Sequence, residues 1–145
     1  MSRILVLQEM EQNIINIKEA LLPRGHELVC VTHELKALEL LEHQPFDIII
    51  CAVYLQESDV FDFARAVKRQ PYLQHIPLIF YCCAVSTFAR SVRGGLKIAA
   101  ATTGVDLYLT MEHFEPKSFA QQVEDCLEKK QSEGANYITA PATAY

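Results

Sequence analysis

Five short apolar runs alternate along this chain with stretches of helical period, and that alternation limits the fold more than any other feature. The runs are RILVL (3–7), ELVCV (27–31), DIIICAV (47–53), PLIFYCC (77–83) and DLYLTM (106–111). They are rich in Ile, Val, Leu and Tyr and lack the polar alternation of a strand with one wet face, so they suit a parallel sheet covered on both sides. Between them, Ile14, Ile17 and Leu21 share one helical face, as do Leu35, Leu38 and Leu41. Val60, Phe63, Ala64 and Val67 form a third such face, and Phe119, Val123, Cys126 and Leu127 a fourth. Pro23-Arg24-Gly25, Gln44-Pro45 and Pro71 supply stops, and Glu115-Pro116 opens the last helix, where proline suits the first turn. The pattern predicts an α/β fold: a doubly wound five-stranded parallel sheet, order 2-1-3-4-5, with helices on both faces. Its functional crevice is expected at the carboxyl ends of strands 1 and 3.

A chain of 145 residues is expected to form one domain. Residues 1–130 carry the alternating pattern. The tail 131–145, QSEGANYITAPATAY, is small and polar without a period, and is expected to be mobile or loosely docked. A net charge of −5 weighs against nucleic acid as a partner. No apolar run approaches the roughly 20 residues of a membrane span, and MSRILVLQ lacks a signal-cleavage pattern. The expectation is a cytoplasmic protein with neither a nucleic-acid nor a membrane partner.

Cys30, Cys51, Cys82, Cys83 and Cys126 are odd in number, lie inside apolar runs and form no CxxC pair. Neither a disulfide framework nor a zinc ribbon is indicated, and most of them read as reduced core thiols. Cys51, Cys82 and Cys83 are the redox candidates, since strand 4 ends where a helix start could lower a thiol pKa. His33 and His113 each follow a strand but have no second close ligand in the sequence, so no metal site is expected.

FDIIICAVYLQESDVFDFARAVK resembles the third strand, loop and third helix of the receiver domains of two-component response regulators. In that family the strand ends in a phospho-accepting aspartate, and the loop ends Asp-Gly-Phe; here it ends Asp59-Val60-Phe61. PYLQHIPLIFYCC is similar to the family's approach to strand 4. GVDLYLTM resembles the stretch leading through the switch aromatic, here Tyr108, to the lysine on strand 5. RGHELVCVTHELKALELLEHQPFD fits in length and pattern. The resemblance covers about residues 3–130 and implies the flavodoxin-like receiver fold.

The chemistry implied by the resemblance does not transfer. Receivers carry an acidic pair after strand 1 to hold Mg²⁺, an aspartate on strand 3, a Ser or Thr on strand 4 and a lysine on strand 5. The matching positions hold Gln8 and Glu9, Ala52, Cys82 and Met111. A methyl group cannot attack phosphorus, and methionine supplies no ammonium to developing negative charge. The expectation is a degenerate receiver: not an enzyme, without cofactor, and acting through protein–protein contacts in a phosphorelay-type pathway. The alternative is a thiol-based redox sensor on the same fold. A flavin or nucleotide binder is disfavoured, because QEMEQN after strand 1 has no glycine and presents acids where a phosphate would sit.

From Cys83 to Gly104 the chain reads CAVSTFARSVRGGLKIAAATTG. Against the family pattern this strand 4 to strand 5 connection is lengthened by about two helical turns. In the family, the helix of that connection, strand 5 and the last helix form the usual partner-docking face. The resemblance therefore marks Arg90, Arg93, Lys97 and Tyr108 as candidates for binding a protein partner, with a homodimer as one form.

Overall fold

In a computed structural model, the structure describes residues 1–56, 58–82 and 102–144, with 131–144 as backbone only. The lengthened connection, including Cys83, Arg90, Arg93 and Lys97, lies outside the described residues, as does Glu57. The strands are β1 (Arg3–Leu7), β2 (Glu27–Val31), β3 (Ile48–Ala52), β4 (Leu78–Cys82) and β5 (Leu107–Thr110). They form one parallel sheet in the order β2-β1-β3-β4-β5, as the alternation predicts. The helices are α1 (Glu11–Leu21), α2 (Glu34–His43), α3 (Val60–Arg69) and α4 (Pro116–Ala144), with a 3₁₀ turn at Leu22–Arg24.

The two-residue period of the strands divides the core between two faces. Leu5, Leu7, Ile49, Cys51, Leu78, Phe80 and Cys82 point toward Ala37 and Leu41 of α2 and Val60, Phe63, Ala64 and Val67 of α3. Ile4, Val6, Ile48, Ile50, Ile79, Tyr81 and Leu109 point toward Ile17, Ala20 and Leu21 of α1 and Phe119, Ala120, Val123 and Leu127 of α4. The middle strands β1, β3 and β4 are covered on both sides, which is why their sequences are apolar at successive positions.

Local chemistry sets the helix ends. Asp59 caps α3 by accepting from the N–H groups of Phe61 and Asp62, each at 3.0 Å. His33 caps α2, its Nδ1 accepting from Leu35 N–H at 3.1 Å. Gln44 ends α2 in extended conformation because it precedes Pro45. The turn after α1 closes on Gly25 at φ +88°, which a side chain would strain.

The structure departs from the sequence pattern in two places. Leu35 is 68 % exposed, not part of the α2 core face; it sits in the first turn, and the small Ala37 takes the close approach to the sheet. Helix α4 continues through Ala144, across the tail that has no apolar period. The tail carries Gly134 and Pro141, both poor helix formers, so neither periodicity nor propensity reveals a helix there. Among the described residues, no helix is long and apolar enough to cross a membrane.

Candidate functional site

The sheet register brings the predicted positions to one end of the molecule. Gln8 follows Leu7, whose β3 partner is Cys51. The next β3 residue, Ala52, pairs with Tyr81, beside Cys82. Cys82 in turn pairs with Thr110 and accepts Met111 N–H at its carbonyl, 3.2 Å away. Gln8, Ala52, Cys82 and Met111 therefore line the carboxyl ends of β1, β3, β4 and β5.

Each of these groups is occupied with structural work. Gln8 is buried, and its Oε1 accepts from the N–H groups of Glu9 (3.2 Å) and Met10 (3.1 Å), steadying the entry to α1. Its own N–H donates to the Val31 carbonyl at 3.0 Å, joining the ends of β1 and β2. Glu9 is exposed, and its Oε1 accepts from Gln56 N–H at 2.9 Å, tying the β1–α1 loop to the β3–α3 loop. Ala52 is 6 % exposed and packs with Val53 and Cys82 in the α2/α3 core. Met111 is half-buried against the α1/α4 core, where Tyr81 meets Phe119 edge-on at 5.2 Å and Phe114 at 6.4 Å. Tyr108 pairs with Phe80 and is half-buried on the opposite face.

Cys30, Cys51 and Cys126 are poorly placed to ionise. Cys51 is fully buried; burial pushes its thiol well up, Glu34 adds to the effect, and its Sγ–H donates to the Ala52 carbonyl at 3.2 Å. Cys126 is pushed up to about 11, by burial first and then by Asp106. Burial raises Cys30 as well, against the pull of Lys18. No group of three or more metal-ligating side chains occurs among the described residues, and His33 serves as a cap.

Two polar clusters escape sequence reasoning because their members are far apart in the chain. At one, Glu124 of α4 accepts from Arg24 Nε (3.0 Å) and Nη2 (2.8 Å) and meets His26 Nε2 at 2.9 Å. His26 is nearly buried, and its Nδ1 accepts from Ser2 N–H at 3.2 Å, which fixes the ring proton on Nε2 facing Glu124. The His26 hydrogen bond is the main reason the Glu124 carboxyl lies below its usual range, with Arg24 adding to it against a desolvation effect. At the other, Lys68 Nζ donates to Asp106 Oδ2 (2.9 Å) and to the Ile76 carbonyl (3.0 Å). Leu78 N–H also donates to Asp106 (2.8 Å), and Lys130 approaches it at 3.3 Å. Burial alone would raise Asp106, but the Leu78 and Lys68 bonds outweigh it and leave the carboxyl below its usual range.

No protein-family model matches the chain, and no curated protein matches it by sequence. Solved structures do match. The signal receiver domain of a signal transduction histidine kinase from Syntrophus aciditrophicus aligns with a TM-score of 0.74 at 22 % identity, covering 89 % of this chain and 92 % of that one. The chemotaxis response regulator CheY4 of Vibrio cholerae aligns at 0.73 and 19 %, covering 87 % and 98 %. The receiver domain of a sensor histidine kinase from Pseudomonas aeruginosa, which coordinates a magnesium ion in its active-site cleft, aligns at 0.72 and 18 %, covering 88 % and 98 %. With its strand order, its covered sheet faces and these likenesses together, the chain has the flavodoxin-like fold of response-regulator receiver domains.

Proposed function

We propose that this chain is a degenerate receiver: a non-enzymatic signalling or scaffold module that works through protein–protein contacts, independently of phosphorylation, in a phosphorelay-type pathway. One observation carries the reading. The strand ends where receiver chemistry would sit present Gln8, Ala52, Cys82 and Met111, and Glu9, the carboxylate among the matching positions, is engaged by Gln56 N–H.

This donor set does not fit Mg²⁺. The ion takes near-octahedral oxygen ligands and leans on carboxylates plus a phosphate, whereas the matching positions supply a neutral amide, a methyl, a thiol, a thioether and one carboxylate. Nor is there an ammonium at Met111 to neutralise charge on a phosphoryl oxygen. The end of the sheet packs as core, so the domain rests in one arrangement unless a partner moves it. Tyr108, half-buried on β5, and Arg90, Arg93 and Lys97 on the β4–β5 connection are the proposed partner contacts, with a protein partner or a second copy docking there. Burial that raises Cys51 weighs against the redox alternative.

The test is incubation with acetyl phosphate, and separately with beryllofluoride, in the presence of Mg²⁺. Intact mass and amide spectra are expected to stay unchanged. An added phosphoryl group, or shifts centred on Ala52 and Tyr108, would reject the reading.

A further inference from the structure

The corner where β1, β2 and β3 end presents three large apolar side chains to solvent: Met10 (58 % exposed), Leu35 and Tyr54 (74 % exposed). They come from two loops and the first turn of α2, and hydrogen bonds hold those segments together. Glu9 accepts from Gln56 N–H, joining the β1–α1 and β3–α3 loops. Ser58 Oγ accepts from Glu34 N–H at 3.3 Å, joining the β3–α3 loop to the start of α2. Met10 is positioned further by Asn13, whose Nδ2 donates to its Sδ at 3.6 Å. The apolar groups thus stand on a fixed frame, and ordering them on binding costs little.

Acids outnumber bases around them. Among the described residues of 8–11, 32–36 and 53–59, the acids are Glu9, Glu11, Glu34 and Asp59. The base is Lys36, which is paired with Glu39 at 3.7 Å. Glu11, Glu34 and Asp59 lie at helix amino termini, whose partial positive charge offsets part of the field without reversing it. An anionic membrane or a nucleic acid is repelled by such a corner.

From this complementarity we infer that the Met10–Leu35–Tyr54 corner is a docking surface for an arginine-bearing peptide segment of a protein partner. The partner's apolar residue rests on Met10 and Leu35. A guanidinium lies over the exposed Tyr54 ring while pairing with the carboxylates beside it, a geometry that suits arginine better than lysine. The site is separate from the β5 side of the molecule, so it adds a second contact to the module proposed above.

The probe is a short peptide alternating leucine and arginine, titrated into the isotopically labelled full chain. Saturable amide shifts are expected at residues 9–11, 33–35 and 54–56, weakening as salt rises to about 0.5 M. Tyr54→Ala and Glu11→Lys, both at exposed positions, are each expected to weaken binding about two- to fivefold. A matched peptide with glutamate in place of arginine should not bind. Equal binding of the glutamate peptide, the absence of saturable shifts, or sedimentation of the protein with phosphatidylserine vesicles would each overturn the inference. Shifts confined to β5 and α4 would overturn it while leaving the proposed module intact, whereas phosphoryl uptake would sink that reading and not this one.

Discussion

Ala52→Asp tests whether the strand ends are packed, neutral core. Ala52 is 6 % exposed, and Gln8, Cys82 and Met111 offer a new carboxyl no cation. Burial of this kind raises a carboxyl pKa by roughly 2–3 units over its unfolded value of about 3.9. The sign follows directly. Below pH ~3 both folded and unfolded states hold the proton, so the charge costs almost nothing. As pH rises, the unfolded chain ionises first and draws the equilibrium toward itself. The loss levels off once pH passes the raised folded pKa. With a shift near the middle of that range, the charge-dependent loss is roughly 1 kcal/mol at pH 4.5 and about 3.5 kcal/mol at pH 7.5. Urea unfolding of the variant and the parent at both pH values measures it directly. Ala52→Asn carries the same bulk without the charge and should show one penalty at both pH values. Adding Met111→Lys to Ala52→Asp should recover about 1–2 kcal/mol at pH 7.5. A loss that is equal at both pH values and equal to that of Ala52→Asn would refute the reasoning, because the strand end would then be wet.

Three further outcomes follow from the geometry. Asp106→Asn keeps an acceptor for Leu78 N–H but drops the Lys68 and Lys130 attractions, and is expected to cost about 1.5–3 kcal/mol in urea unfolding. Because the parent carboxyl lies below its usual range, that difference should be present at neutral pH and vanish as pH falls through the Asp106 pKa in the folded protein. Glu9→Ala should cost about 0.5–1.5 kcal/mol and speed hydrogen exchange at the Gln56 amide, with amides in β4 unaffected. Phe119→Ala, at a fully buried ring in contact with Tyr81 and Phe114, should cost about 3–5 kcal/mol and lower the thermal midpoint accordingly.

The strands are legible in the sequence because a sheet covered on both sides leaves an unbroken apolar signature. RILVL and ELVCV coincide with β1 and β2, and the other three runs exceed their strands by a residue at each end. Val53 is buried yet outside the ladder, whereas Asp47, Asp106 and Met111 still donate backbone N–H bonds to Arg3, Leu78 and Cys82 on the neighbouring strands. The face of α3 was equally readable, since Val60, Phe63, Ala64 and Val67 all contact the core. Leu35 misleads because spacing places it on a face but does not say where the sheet beneath that face ends. The strand-end positions could be aligned from local motifs, yet the Glu9–Gln56 bond could not, since nothing local pairs a carboxylate with an amide 47 residues on. The Lys68–Asp106 pair and the grip of Arg24 and His26 on Glu124 were hidden for the same reason.

That last grip has a practical corollary for anyone dividing the chain. Ser2 leans on His26, His26 and Arg24 hold Glu124, and so the earliest strand and the final helix behave as a single mechanical joint. A fragment trimmed ahead of Glu124 would lose more than a helix, because it would also unfasten the start of β1. A bulky fusion close to Ser2 would load the same joint from the other side.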